Sequence, residues 1–445
     1  MEDIALDTID LGDRARVHYD GIGELWKTIE EQGLIHPIAV WDKGDGTFLL
    51  LAGGRRYMAH VFGKAATIAA RIYEGELDEL DQKIIEQVEN LQRSNLGWME
   101  EAALKEKIHH LMQEKHGVAL PGSTSGHTLT DTARLLGESR ALVSEDIKLA
   151  KAARERPEIA KVADKSAAKR LLKRTLQQEL SAAAMKKHKE ELAKGGGDPA
   201  REALLNSYIV GDFFEHAKQI PDNSFNMVEC DPPYAIDLHA TRARTQDSAT
   251  LDDYNEVESE DYPAFIDRLT HECYRVLVPG GWCVFWYAMI YWHQLVLDKL
   301  REAGFTTFGV PAIWYKPNGP GQTQRPDLIL GSCWEPFFYA RKGMGTLYSP
   351  GQSNLFPFNV IASENKIHPT ERPIELMAAL LDIFSPPGGR VLVPFAGSGN
   401  TLLACSNTGR KCLGYDLSES YKTNFAGRVL KGKVGQFLSY RIKGA

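Results

Sequence analysis

The chain has 445 residues, 43% hydrophobic and 25% charged, which suggests about three domains and excludes both wholesale disorder and a single small module. Its formal charge is −7, from 52 Lys and Arg against 59 Asp and Glu, so a uniformly basic nucleic-acid coat is excluded while a local basic patch is not. All six cysteines fall in the second half without C-x-x-C spacing, so neither a metal site nor a disulfide framework is expected. Met1 to Asp10 lacks the basic start and apolar stretch of a signal peptide, and no run reaches the roughly 18 apolar residues of a membrane helix. A cytoplasmic protein without a membrane partner is expected.

In chain order, residues 1–117 predict an α+β domain. Pro37 to Trp41 and Phe48 to Leu51 are short apolar runs around Lys43-Gly44-Asp45-Gly46, a hairpin pattern. From Glu76 to His116 the period becomes helical, with Ile84, Ile85, Val88 and Leu91 on one face. The polar stretch Pro121 to Gly126 divides this part from a helical module over 127–194. Between Arg134 and Lys194 lie 16 Lys and Arg against nine Asp and Glu, a local +7 in an acidic protein. Three glycines and Pro199 in Lys194 to Pro199 predict a linker. Beyond it, residues 200–440 alternate strand-like runs (Tyr208 to Val210, Asn226 to Cys230, Trp282 to Tyr287, Arg390 to Val393, Lys411 to Tyr415) with helical stretches, the pattern of a parallel sheet flanked by helices.

Within 129–149, a helix, a turn at Gly137 and a second helix form a helix-turn-helix pattern with Ala133, Leu136, Val143 and Ile147 inward. Ser139, Arg140, Ser144 and Lys148 then face outward, where major-groove contacts belong. Lys169, Arg170, Lys173 and Arg174 suit phosphate contact, or form a solvated face.

The most informative segment is Asp231-Pro232-Pro233-Tyr234, directly after a strand-like run. Ligands of open α/β sheets bind beyond the carboxyl ends of strands, and two prolines hold a carboxylate and a ring in one arrangement. Asp231 and the Pro232 carbonyl could accept both hydrogens of an amino group on a planar base, with Tyr234 stacked on the ring. A second segment, Pro394 to Thr401, puts Gly397 and Gly399 in a turn between strand and helix, and the next strand ends in Asp416, placed to bond ribose hydroxyls. No Lys-Ser or Lys-Thr follows those glycines, so a P-loop is not expected. The aromatic cluster Trp282, Phe285, Trp286, Tyr287, Tyr291 and Trp292 reads as core rather than a stacking platform, and Cys230 as a buried small hydrophobe. Glu256 to Asp261 reads as a solvated acidic loop, with a mobile lid as the other reading.

The ordered set Gly211-Asp212, Asp231 to Tyr234, Arg275 to Gly281, Trp314 to Lys316, His368 to Pro373 and Phe395 to Gly399 resembles the permuted (beta-group) DNA amino-methyltransferases of the N6-adenine/N4-cytosine family. The resemblance implies a Rossmann-like methyltransferase sheet, S-adenosylmethionine as cofactor and double-stranded DNA as partner. It implies that Asp231, Pro232, Pro233 and Tyr234 are catalytic, that Phe395, Gly397 and Gly399 line the cofactor, that Asp416 binds its ribose and Asp212 its adenine, and that His368, Pro369 and Thr370 close over its methionine end. Asp at the first tetrapeptide position leans toward N6-adenine. The chain departs from the family at Val393, where an acid is usual, and at Asn400, where Thr is usual. Cytosine-N4 methylation, and a DNA-binding regulator with an inactive methyltransferase domain, are the alternative readings.

Residues 1–117 resemble the ParB N-terminal domain through Gly33 to Ile38, Gly53-Gly54-Arg55-Arg56-Tyr57 and Glu89-Asn90-Leu91-Gln92-Arg93. The resemblance implies either a cytidine triphosphate site using Gly53, Arg55, Arg56, Glu89, Asn90 and Arg93, or a retained fold whose arginines contact DNA phosphates. Gly54 stands where many members carry Glu, so hydrolysis is not implied. A homodimer is left open.

Overall fold

A computed structural model of the chain describes residues 2–12, 21–34, 36–91, 96–119, 125–235, 257–318, 327–328, 330–361 and 371–439. It divides into two compact units, residues 1–172 and 173–445.

The first unit contains β1 (Glu2–Ala5), β2 (Ile9–Asp10), α1 (Ile22–Gln32), β3 (Ile38–Asp42), β4 (Phe48–Ala52), α2 (Gly54–Phe62), β5 (Thr67–Tyr73), α3 (Glu79–Leu91), α4 (Trp98–His116), α5 (Leu129–Leu136), α6 (Arg140–Glu155) and α7 (Pro157–Ala160). The five strands form one sheet in the order β1-β5-β3-β4-β2, and β3 and β4 pair as the expected antiparallel hairpin. Ile38, Val40, Leu50 and Ile68 are the buried centre of its core.

The helical part of this unit is tied together by one buried cation. Lys105 on α4 is 1% exposed and reaches Glu101 at 2.6 Å, Glu138 at 2.7 Å and Asp146 at 2.9 Å. Burial opposes its charge, but the three carboxylates more than offset that and raise the ammonium above its usual range. Glu138 sits in the turn between α5 and α6 and Asp146 on α6, so Lys105 sets the angle of the helix pair. Trp98 adds a bond from its indole N–H to the Val162 carbonyl at 2.9 Å.

Helices on both sides of the 121–126 stretch share one packing arrangement, and the boundary between the two compact units falls inside α8 (Lys165–Ala193), which ends just before the Lys194 to Pro199 stretch. The second half of α8 belongs to the second unit, where Ser181 is fully buried against Gly427 and Gln178 donates to Ser420 at 2.7 Å. A Cβ at Gly427 would lie 2.1 Å from the Ser181 hydroxyl. Charge patterning and glycine punctuation carry no signal for such packing.

The second unit continues with α9 (Pro199–Asn206), β6 (Tyr208–Val210), α10 (Phe213–Ala217), β7 (Phe225–Cys230), α11 (Tyr262–Val276), β8 (Leu277–Trp286), α12 (Met289–Glu302), β9 (Ala312–Tyr315), β10 (Trp334–Arg341), β11 (Leu355–Pro357), α13 (Ile374–Phe384), β12 (Arg390–Val393), α14 (Asn400–Asn407), β13 (Lys411–Asp416) and α15 (Glu419–Lys431). Eight strands form a sheet in the order β11-β9-β10-β8-β7-β12-β13-β6. The expected parallel arrangement holds from β8 through β6, whereas β10 runs antiparallel to both β8 and β9. Among the described residues no helix lies between β9 and β10, and without a crossover the chain returns antiparallel. Neighbouring side chains bury on opposite faces: Met227 and Val391 in one core, Val228 and Leu392 in the other. Among the described residues no helix is long and apolar enough to cross a membrane.

Candidate active site

Three strands end at one place. β7 delivers Asp231 to Tyr234, β12 delivers Pro394 to Gly399 ahead of α14, and β13 ends in Asp416. They enclose a cavity of about 460 Å³ that Asp212, Asp231, Tyr234, Arg372, Phe395 and Asp416 help to line.

On the cofactor-loop side, Gly397 adopts φ +50° and donates its N–H to Asp416 Oδ2 at 2.8 Å, while its carbonyl accepts from the Tyr208 hydroxyl at 2.7 Å. Asp416 Oδ1 accepts from the Ser418 N–H at 2.9 Å, and burial raises its pKa. Phe395 lies near Phe213 and Phe265, with ring centroids 6.4 and 6.1 Å away, so the loop faces an aromatic wall. Asp212 caps α10, accepting from the Glu215 N–H at 3.1 Å. Gly399 is not among the cavity-lining residues; a Cβ there would lie 2.3 Å from the Phe425 ring, so this glycine allows α14 to approach α15.

On the tetrapeptide side, the Tyr234 hydroxyl donates to Asp231 Oδ1 at 2.8 Å, and its pKa is raised by burial and by the Asp231 charge. Arg372 donates from Nη1 to Asp231 Oδ2 and from Nη2 to the Tyr234 hydroxyl at 2.9 Å and Glu335 Oε2 at 3.2 Å. The other oxygen of Glu335 pairs with Lys316 at 2.5 Å. The guanidinium stacks 3.9 Å above the Trp286 ring, and the Trp286 N–H donates to Glu229 Oε1 at 2.9 Å. Thr401 donates to Glu229 Oε2 at 3.0 Å. Glu229 is 3% exposed; burial and the nearby Asp231 charge push its carboxyl up to about 7, against the pull of Arg372. Among the described residues the Pro232 carbonyl has no hydrogen-bond partner.

Arg372, Glu335, Lys316 and Glu229 carry no role in the reading from sequence, although Arg372 stands in the His368 to Pro373 signature. Glu335 stands second in β10, beside the buried Phe337 and Phe338, where no local pattern marks a charge as part of a site. His368, Pro369 and Thr370 lie outside the described residues, as do Arg93 and Glu256. Trp282, Phe285, Trp286 and Tyr287 are buried as expected, but Tyr291 is 64% exposed, because it sits in the first turn of α12 beyond the end of β8. Cys230 is fully buried and its thiol is pushed up by burial, consistent with a packing role.

In the first unit, α5, Gly137 in the left-handed region and α6 give the expected helix-turn-helix outline. Ala133 and Val143 are buried and Leu136 and Ile147 half-buried. Arg140 and Lys148 are exposed and Ser144 is half-buried, while Ser139 caps α6 by accepting from the Leu142 N–H at 3.2 Å. Lys169 pairs with Glu145 at 2.6 Å. The second and third ParB-like boxes meet where Arg56 lies 3.6 Å from Glu89. Arg56 also donates to the carbonyls of His36 at 2.8 Å and Pro37 at 2.6 Å, and Gly53 starts α2 in the left-handed region.

Residues 225–426 match the family model described as DNA methylase, and residues 1–91 match the ParB N-terminal domain. The chain joins a DNA methylase domain of the N6/N4 family to a ParB N-terminal domain. The methylase domain is similar to the type II methyltransferase M.HpaI of Haemophilus parainfluenzae, 26% identical over 232 residues that cover 48% of this chain and 70% of that protein. It is also similar to M.BglII of Bacillus subtilis, 25% identical over 266 residues, covering 52% and 70%. A crystal structure of an M1.HpyAVI-SAM complex is 22% identical with a TM-score of 0.38, covering 51% of this chain and 98% of that one. Residues 225–426 form this chain's DNA methylase domain of the N6/N4 family.

Proposed function

We propose that the chain moves a methyl group from S-adenosylmethionine to the exocyclic amine of an adenine flipped out of duplex DNA. The observation that carries this reading is the shared cavity: Asp231 and Tyr234 face the same space as Phe395, Gly397 and Asp416. That cavity suits the cofactor on its own chemistry. The aromatic wall around Phe395 suits a purine, and the Asp416 carboxylate at a strand end suits ribose hydroxyls. Gly397 and Asp212 complete the walls, while Gly399, His368, Pro369 and Thr370 are assigned to the same site by family likeness. When bound, S-adenosylmethionine supplies a methyl group on a positively charged sulfur.

The remaining chemistry belongs to the chain. An adenine amine is a weak nucleophile because its lone pair is delocalised into the ring. Asp231 and the Pro232 carbonyl accept its two hydrogens and favour localisation of the pair on nitrogen; Pro233 holds that geometry and Tyr234 offers its ring. Positioning and electrostatics do the work, without a covalent enzyme intermediate. A base within the helix cannot reach this cavity, so flipping at a cost of about a few kcal/mol precedes the reaction.

The helix-turn-helix of the first unit is assigned to DNA delivery through Arg140, Ser144 and Lys148, with Ser139 positioned by its capping bond. Cytidine triphosphate is assigned to Gly53, Arg55, Asn90 and Arg93, with Arg56 and Glu89 bracing the site through their own contacts. Digesting DNA treated with the protein and labelled cofactor to nucleosides tests the main reading. N6-methyladenine is expected; N4-methylcytosine overturns the choice of base, and no label together with no cofactor binding by calorimetry favours the inactive regulator.

A further inference from the structure

The first turn of α12 carries three consecutive apolar side chains in solvent: Met289, Ile290 and Tyr291 are 40, 87 and 64% exposed. Scattered exposed apolar residues need no explanation, but a contiguous tip beside a reaction centre marks an interaction surface. Here the neighbouring side chain reaches that centre: Trp292 turns inward and its indole N–H donates to the Tyr234 carbonyl at 2.7 Å. The tip also has a stiff base. Tyr287 stacks on Phe338 with centroids 4.5 Å apart, and its hydroxyl lies 2.9 Å from His293 Nδ1.

An exposed apolar tip suits unstacked base steps. Duplex DNA beside a flipped nucleotide offers such steps, and Trp292, next in the chain to the tip, bonds the Tyr234 carbonyl of the cavity that the base has to enter. We propose that Met289, Ile290 and Tyr291 form a wedge that enters the duplex next to the target base and fills the space left when that base leaves the stack. The inference rests on the methylation reading of the Asp231 cavity.

The test compares full-length protein and its Ile290→Ala/Tyr291→Ala variant on unmethylated genomic DNA, as duplex and after heat denaturation, with labelled S-adenosylmethionine. Both side chains are exposed, so the thermal midpoint is expected to stay within about 2 °C. The expected result is a fall of tenfold or more in the duplex rate with the denatured-DNA rate within twofold of wild type, and recovery on duplex in Ile290→Leu/Tyr291→Phe. An equal fall on both DNA forms, or an unchanged duplex rate as for a surface that serves a protein partner, overturns the wedge. Wild-type protein that labels neither form overturns the methylation reading itself.

Discussion

Arg372 ties Asp231 to Tyr234: one guanidinium nitrogen donates to the carboxylate while the other bonds the Tyr234 hydroxyl at 2.9 Å. Each carboxylate oxygen has two lone pairs, so Asp231 can keep this partner and still accept an amine hydrogen. Arg372→Met removes the buried cation that Asp231 and Glu335 share and leaves Asp231 without its counter-ion. A stability loss of about 3 kcal/mol is expected, with methylation reduced roughly 10²- to 10³-fold. Cofactor affinity measured by calorimetry should change less than the rate, and Arg372→Lys should recover only part of it, because a point charge cannot serve three acceptors in a plane.

Glu229 gives the protein a pH dependence of known sign. Its carboxyl is raised from an ordinary 4.5 to about 7 by burial and the Asp231 charge, so the folded state holds a proton that the unfolded state releases. The stabilising contribution is present below about 4.5 and is lost as pH rises toward 7. Glu229→Gln keeps the shape without the charge. Its unfolding free energy should therefore lose that pH dependence and exceed the wild-type value at pH 8, by at most about 3 kcal/mol. Denaturation curves from pH 5 to 8 check this.

Lys105 is the test of the first unit. Lys105→Met leaves Glu101, Glu138 and Asp146 without their common cation and should cost about 3 to 5 kcal/mol in urea unfolding. Because the helix-turn-helix is held through Glu138 and Asp146, DNA affinity should fall with it, whereas cofactor binding in the second unit should not.

Two glycines separate conformation from crowding. Gly399 and Gly409 share a left-handed backbone, with φ +77° and +68°, but a Cβ at Gly399 meets Phe425 at 2.3 Å and one at Gly409 meets nothing within 4 Å. Gly409→Ala should cost about 1 kcal/mol. Gly399→Ala should cost about 2 kcal/mol more, read from thermal unfolding.

The legible parts of the fold were those with local signatures. The hairpin at β3 and β4, the Gly137 turn and the strand before Asp231 follow from turn residues and apolar runs. The reversed β10 left no trace, because an antiparallel strand and a buried parallel one read alike as Trp334 to Arg341. Likewise, Asp231 and Asp416 announced themselves at strand ends. Arg372, 141 residues from Asp231, did not, since only tertiary folding joins them. Tyr291 was misread for a related reason: composition groups it with Trp286, while one turn of helix turns it to solvent.

The reversed direction of β10 also bears on the charge of the pocket. An antiparallel strand offers its opening residues, not its final ones, to the ligand edge, so Glu335, second in β10, enters the charge network while Phe337, Phe338 and Ala340 stay sealed inside. Variation in the chain leading into Trp334 can therefore retune the electrostatics of the pocket without repacking the protein's centre.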